Sequence, residues 1–412
     1  MRAFDAGWGG AVWKTLGIPV INTSSRYGAL HYKDKRMVGF NNIELITDRP
    51  LSVNLREMEE VKKYFPNHAI IASLMVESKE EWHQIVKDVE NAGADGIELN
   101  FGCPHGMCER GMGSAVGQEP DVLTRLVEWV MEVARIPVIV KLTPNISDIT
   151  EPARAAVQGG ADAISLINTI QSIIGVDLDT FTPYPNVDGK STNGGYCGPA
   201  VKPIALNMVK NCAQHSEVSL PISGIGGIET WRDAVEFMLL GATNVQVCTA
   251  VMHYGFRIIE EMISGLEQYM MEKDMSDLDD LIGRSLKHVT QWEELNMHYK
   301  VTAQINADKC IGCQLCYISC EDGAHQAIRL TSDSSRVPEI IDENCVGCNL
   351  CSLVCPVDDC ITMVRTDDGS KDETWKDFVK ADKAPTGFED QRGGGVGHFV
   401  PEPKEALRGR KE

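Results

Sequence analysis

The chain has 412 residues, enough for two or three domains with a large core. Its 39 Lys and Arg against 59 Asp and Glu give a formal net charge of −20, which repels phosphate backbones and anionic membranes and suits a partner with a basic face. Nucleic acid is therefore not an expected partner. No apolar run reaches the ~18 residues of a membrane span, and the opening Met1-Arg-Ala-Phe-Asp-Ala-Gly-Trp8 has no apolar signal core. The 14 Cys include no disulfide-like pattern outside two runs near the C-terminus, so the expected compartment is a reducing cytoplasm.

From the N-terminus the chain repeats one unit. Asp5-Ala-Gly-Trp-Gly-Gly-Ala-Val-Trp-Lys14 reads as a helix end, a glycine turn and a strand. Asn91-Ala-Gly-Ala-Asp-Gly-Ile-Glu-Leu-Asn100, Gln158-Gly-Gly-Ala-Asp-Ala-Ile-Ser-Leu-Ile-Asn168 and Leu240-Gly-Ala-Thr-Asn-Val-Gln-Val-Cys-Thr249 repeat it. Glycine just past a helix allows a left-handed turn, and the apolar run after it reads as a buried parallel strand. Further strands are expected at Ala69–Met75, Pro137–Leu142 and Pro221–Gly224, with amphipathic helices at Lys79–Ala92, Asp121–Ala134 and Trp231–Leu240. The count is seven strands, near 11, 69, 96, 137, 163, 221 and 245. Alternating strands and helices predict an α/β fold, a TIM (β/α)8 barrel lacking its first strand. A doubly wound sheet is the alternative, but no Gly-x-Gly-x-x-Gly opens a helix here.

In such a barrel the chemistry sits at the C-terminal ends of the strands. Those ends carry Lys14-Thr15, Asn100-Phe-Gly-Cys103-Pro-His-Gly106, Lys141-Leu-Thr-Pro-Asn145, Asn168-Thr169, Ser223-Gly-Ile-Gly226-Gly227-Ile228 and Cys248-Thr249-Ala250. One lysine at a strand end is ordinarily a solvated surface charge; two Lys and two Asn at one rim point to a functional site. The Gly226-Gly227 turn, beside the Thr249 loop, suits a phosphate held by backbone N–H groups, and a flavin mononucleotide phosphate fits that position.

Val251–Lys273 is expected as one long helix closing the barrel, and Asp274–Tyr299, with Leu278, Leu281, Ile282 and Leu286 at helical spacing, as a linker helix. Next come Cys310-Ile-Gly-Cys313-Gln-Leu-Cys316-Tyr-Ile-Ser-Cys320 and Cys345-Val-Gly-Cys348-Asn-Leu-Cys351-Ser-Leu-Val-Cys355-Pro356. Cys-x2-Cys-x2-Cys-x3-Cys holds [4Fe–4S] clusters, and in two-cluster ferredoxins the fourth Cys crosses to the other cluster. That rule groups Cys310, Cys313 and Cys316 with Cys355, and Cys345, Cys348 and Cys351 with Cys320. Zinc or a disulfide framework is the competing reading, but zinc sites seldom use eight thiolates at this repeated spacing, and a secreted disulfide scaffold would be small and carry a signal peptide. Cys360 is expected not to ligate. The expected divisions are a barrel over 1–273, a helical linker over 274–302, an α+β bacterial-type 2[4Fe–4S] ferredoxin domain over 303–365 and a disordered tail over 366–412.

The strand-end motifs, with Gly194-Gly-Tyr-Cys-Gly-Pro-Ala-Val-Lys202-Pro-Ile-Ala-Leu206 and the two Cys runs, resemble dihydropyrimidine dehydrogenase over about residues 1–365. The match is to the pyrimidine-reducing half, which in bacteria looks like a separate subunit of a two-chain NAD-dependent enzyme. The resemblance implies reversible reduction of uracil or thymine at FMN, with electrons arriving through two [4Fe–4S] clusters. It implies Cys103 as general acid and base, a role open to a thiol of ordinary pKa near ~8.5. It implies Asn42, Asn100, Asn168 and Thr169 as pyrimidine contacts. Lys14, Thr15, Lys141, Gly198, Gly226, Gly227, Cys248 and Thr249 then fall among the cofactor-binding positions, and Glu44 becomes a partner for a lysine. His105 to Gly117, with Met107, Cys108 and Met112, reads as the mobile loop carrying Cys103.

The sequence departs from the family at Gly102 and Cys197, where Ser is usual, and in the missing first strand, which supplies part of the FMN rim in relatives. No nicotinamide fingerprint is present, so a second subunit carrying FAD and the NAD site is the expected electron donor. A dihydroorotate dehydrogenase-like enzyme acting on another cyclic amide, and a flavin-free electron-transfer subunit, are the alternatives.

Overall fold

The computed structural model describes residues 1–17, 26–32, 35–104, 113–323, 325–332, 336–366, 369 and 371–381. The chain divides into two compact units, Met1–His288 and Val289–Glu412.

Seven parallel strands form the centre of the first unit: Gly10–Leu16, Ala69–Leu74, Gly96–Asn100, Val138–Lys141, Ala163–Leu166, Ile222–Ile225 and Asn244–Gln246. Their spatial order is their chain order, and each pairs in parallel with the next. This is the expected barrel architecture with seven strands; among the described residues the two outer strands pair with no further parallel strand.

The four repeated turns form as read from the sequence. Gly7, Gly93, Gly160 and Gly241 all have positive φ, between 87° and 113°, where a side chain would strain the backbone. The helices are set by ordinary local signals. Ser78 and Glu81 cap Lys79–Asn91 reciprocally, and Trp82, Ile85, Val86 and Val89 bury one face of it. Thr230 and Asp233 cap Trp231–Leu239 in the same way. Leu99, Val140, Ile164 and Phe237 are fully buried between the sheet and these helices.

A second, antiparallel sheet joins Tyr27–Tyr32, Lys35–Asn42, Gly194–Cys197 and Ile170–Ser172 in that spatial order. It is built from insertions that the helix–strand repeat does not announce.

Two expectations are corrected here. The long helix over 251–273 is two helices, Thr249–Tyr254 and Ile258–Glu272, separated at Gly255, whose φ of 88° and ψ of 173° are not helical. The linker helix is replaced by short 3-10 turns at Leu278–Asp280, Leu286–His288 and Trp292–Glu294. The reason is tertiary. Leu281 is buried against Val235 and Met238, while Gly283 and Ser285 donate backbone hydrogen bonds to Met238 and Leu239 at 2.9 and 3.0 Å. The segment is pinned to the end of Trp231–Leu239, and helical spacing of its leucines does not decide its conformation.

In the second unit, Val301–Ile305 pairs antiparallel with Ile361–Arg365 and Ile328–Arg329 with Glu339–Ile340. Helices Leu315–Gly323 and Leu350–Leu353 each begin within a Cys run. Inside the stretch expected as a tail, Trp375–Lys380 is a helix capped by Thr374 and Asp377. Trp375 lies beside Trp292, and Phe378 beside His298. Residues 382–412 of that tail lie outside the described residues.

Candidate functional site

A chain of amides and hydroxyls crosses the strand ends. Thr15 shares a hydrogen bond with Ser73 at 3.0 Å and accepts one from Asn100 Nδ2 at 3.0 Å. Asn168 Nδ2 donates to Asn100 Oδ1 at 2.9 Å, and the Thr169 N–H donates to Asn168 Oδ1 at 2.7 Å. Asn145 closes the chain by donating to the Thr169 carbonyl at 3.2 Å. Five stretches distant in sequence thus hold one another's rotamers, and Asn100 is the junction.

The two lysines lie beside this chain and are each paired with a carboxylate. Lys141 is level with Asn100 in the neighbouring strand, and its Nζ is 3.4 Å from Glu98 Oε1. Lys14, one residue before Thr15, donates to Glu44 Oε2 at 2.6 Å. Arg26 and Tyr27 also donate to Glu44, at 2.7 and 2.9 Å. Burial alone would raise the Glu44 pKa, but these three donors outweigh it and hold the carboxyl below its usual range. Burial and the same hydrogen bond push the Tyr27 phenol up to about 12.

Cys103 follows the strand Gly96–Asn100 and is 6% exposed. Its side chain packs with Ile46, Met75 and Leu45, an apolar sleeve around the thiol. Gly102 explains part of the departure from the family pattern: a Cβ there would lie 2.4 Å from Asn168 Cβ, so serine would displace Asn168. Asn42 reaches the same rim from the second sheet, donating to the Gly195 carbonyl at 3.4 Å. A Cβ on Gly195 would lie 2.2 Å from Thr169 Oγ1 and 3.4 Å from Pro104, so the second sheet packs directly on the strand-end turns. Met107, Cys108 and Met112 lie outside the described residues.

The glycine turns also meet. Gly198, Gly226 and Gly227 have positive φ, and a Cβ on Gly227 would lie 2.8 Å from the Gly198 carbonyl. Thr249 Oγ1 donates to Cys197 Sγ at 3.3 Å, which ties the turn after the last strand to the same place. Cys248, at the start of Thr249–Tyr254, makes no side-chain cap hydrogen bond. Burial pushes the Cys197 thiol up to about 12, so it stays a neutral hydrogen-bond partner.

In the second unit the eight run cysteines sort into two cavities. One is lined by Cys310, Cys313, Cys316 and Cys355, the other by Cys345, Cys348, Cys351 and Cys320. This is the crossed grouping expected from the spacing. Among the described residues no three His, Cys, Asp or Glu side chains converge as ligands of a single ion would. Four thiols around each cavity are the ligand complement of a four-iron cluster. Backbone N–H groups of Ala303 and Ala327 donate to Cys345 and Cys320 at 3.5 and 3.3 Å. Cys360 is a fifth thiol on the first cavity, 3% exposed.

Sequence reading missed Arg26, Tyr27, Glu98, Ser73 and Gln246. Glu98 was within reach, since a charged residue in an otherwise apolar strand calls for a partner. Arg26 and Tyr27 carried no such signal, because they lie just before and at the start of a strand of the inserted sheet.

Comparison with known proteins follows the same division. The family model of dihydroorotate dehydrogenase matches residues 37–270, and the 4Fe-4S dicluster domain matches residues 303–363. The chain is 44% identical over 364 residues to the NAD-dependent dihydropyrimidine dehydrogenase subunit PreA of Escherichia coli strain K12, covering 88% of each. It is 44% identical over 307 residues to a chloroplastic dihydropyrimidine dehydrogenase (NADP(+)) of Arabidopsis thaliana, covering 71% of this chain and 72% of that one. It is 38% identical over 290 residues to the catalytic subunit of dihydroorotate dehydrogenase B (NAD(+)) of Pyrococcus furiosus, covering 69% of this chain and 89% of that one.

Proposed function

The chain belongs to the dihydroorotate dehydrogenase family, an oxidoreductase of the dihydropyrimidine dehydrogenase kind with a 4Fe-4S dicluster domain, and from that premise we propose that it reversibly reduces uracil and thymine to their 5,6-dihydro forms. The observation that carries the proposal is the Asn100-centred chain running to Asn168 and Thr169 next to the buried Cys103. Asn42, Asn100, Asn168 and Thr169 are all uncharged and offer donors and acceptors together, which suits the amide edges of a neutral pyrimidine.

The donor set also fits FMN. Lys14 and Lys141 supply cationic groups for the flavin, with Thr15 between the strand ends. Gly198, Gly226, Gly227, Cys248 and Thr249 supply backbone N–H groups for its phosphate. Bound FMN would supply hydride exchange with one carbon of the pyrimidine double bond. Cys103 holds the proton for the other carbon: its thiol donates in the direction of reduction, and its thiolate takes the proton back in reverse. The sleeve of Ile46, Met75 and Leu45 keeps water from competing with that transfer. Lys14 and Lys141 favour negative charge on the bound cofactor.

The two cysteine cavities would hold [4Fe–4S] clusters that pass electrons one at a time. The relative PreA is named as a subunit, which supports a second subunit carrying FAD and the NAD site as the electron donor, and the net charge of −20 suits a basic docking face on it. With that subunit and NADH, the chain should consume uracil, read as loss of its ultraviolet absorbance; unchanged absorbance sinks the proposal. The relationship to dihydroorotate dehydrogenase B favours one second reading, an enzyme for a carboxylated pyrimidine. Turnover of dihydroorotate but not dihydrouracil would establish it instead.

A further inference from the structure

One buried charge in the barrel has no part in the reaction just described. Glu98 is 1% exposed and sits two residues before Asn100, facing the barrel interior with it. Its two oxygens have different partners. Oε2 accepts from Ser165 Oγ at 2.8 Å and from Gln246 Nε2 at 3.3 Å, and Gln246 also donates to Ser223 Oγ at 3.0 Å. Oε1 faces Lys141 Nζ at 3.4 Å. The carboxylate is thus fixed on one side by neutral donors from two other strands and presents its second oxygen to the lysine.

Burying a carboxylate is costly unless it is paired and hydrogen-bonded, and a buried ion pair is weak grounds for stability alone. What this pair does accomplish is geometric and electrostatic. The Lys141 side chain begins level with Asn100 at the strand ends, is 14% exposed and reaches back to Glu98. Glu98 fixes where that ammonium sits and offsets part of its charge.

We propose that Glu98 is a positioning residue that acts through Lys141 to set the reduction potential of the bound flavin. The inference rests on the flavin reading above. An ammonium near a flavin stabilises the anionic reduced form, so the carboxylate behind it tempers that effect and keeps the flavin potential lower than Lys141 alone would make it. Ser165 and Gln246 withdraw charge from the same carboxylate and so adjust the balance from below.

The test is the flavin midpoint potential of the full chain, measured spectroelectrochemically, with the cluster potentials followed in the same samples. Glu98→Gln keeps the shape and removes the charge, and should move the flavin potential in the positive direction while leaving the clusters unmoved. Ser165→Ala leaves more charge on Glu98 and should move it in the negative direction; a packing defect would not give opposite signs. In a Lys141→Met background, Glu98→Gln should add no further shift. An unchanged potential in Glu98→Gln, or the same shift with and without Lys141, overturns the proposal. If acid treatment of the unsubstituted chain releases no FMN, the flavin reading itself fails; if FMN is released and the potential does not move, only the role of Glu98 fails.

Discussion

Cys103 is small, buried and adjacent to the junction of the amide chain, so its substitution separates chemistry from structure. Cys103→Ala removes only a sulfur from the sleeve of Ile46, Met75 and Leu45. Turnover should fall by roughly 10²–10⁴-fold, the usual worth of a general acid, with flavin and cluster absorbance intact. Retention of activity would remove Cys103 from the mechanism. The cluster thiols divide at the same scale. Cys355 and Cys360 line one cavity five residues apart, but only Cys355 belongs to the spacing that binds a cluster. Iron analysis of Cys355→Ala should show one cluster lost or converted, whereas Cys360→Ala should retain both; the reverse would exchange their roles. The run cysteines stood out in the sequence because cluster binding depends on short spacing along the chain, whereas Cys103 was singled out by resemblance to a family motif. Glu98 was less so, since its partners Lys141, Ser165 and Gln246 come from three other strands.

At the level of elements, the repeated helix–glycine–strand unit was readable because each copy is local: a positive-φ glycine and the apolar run after it need no distant partner. The same reasoning failed for residues 251–299, where Gly255 splits one helix and burial of Leu281 overrides helical spacing. The antiparallel sheet was not legible, because its two halves, residues 27–42 and 170–197, are separated by more than a hundred residues, with Asn42 opposite Gly195. That sheet supplies Tyr27, and Glu44 just beyond it gathers Lys14, Arg26 and Tyr27. A carboxylate held below its usual value stabilises the fold fully above the unfolded pKa of ~4.3, and loses that contribution as pH falls through the folded value. At neutral pH Glu44→Gln should therefore lower stability to denaturant by on the order of 1 kcal/mol. The gap between the two proteins should close on acidification below the ordinary carboxylate range; a gap that persists there would show that Glu44 acts through packing.

At the scale of the whole molecule, two units carry two kinds of redox chemistry, a barrel with a polar rim and a domain with two thiol cavities. Both families were readable from motifs, and the crossed cysteine grouping was read from the spacing together with the crossover rule of two-cluster ferredoxins. No helix among the described residues is long and apolar enough to cross a membrane. Hydride exchange between a pyrimidine and the barrel's flavin can be tested without the electron-donor subunit. Dihydrouracil is added anaerobically to the oxidised chain, and the visible spectrum is followed with dihydroorotate as comparison and Cys103→Ala as control. Dihydrouracil should bleach the flavin band and then the cluster absorbance, dihydroorotate should not, and Cys103→Ala should respond far more slowly. A flavin band that dihydrouracil leaves unchanged would contradict it.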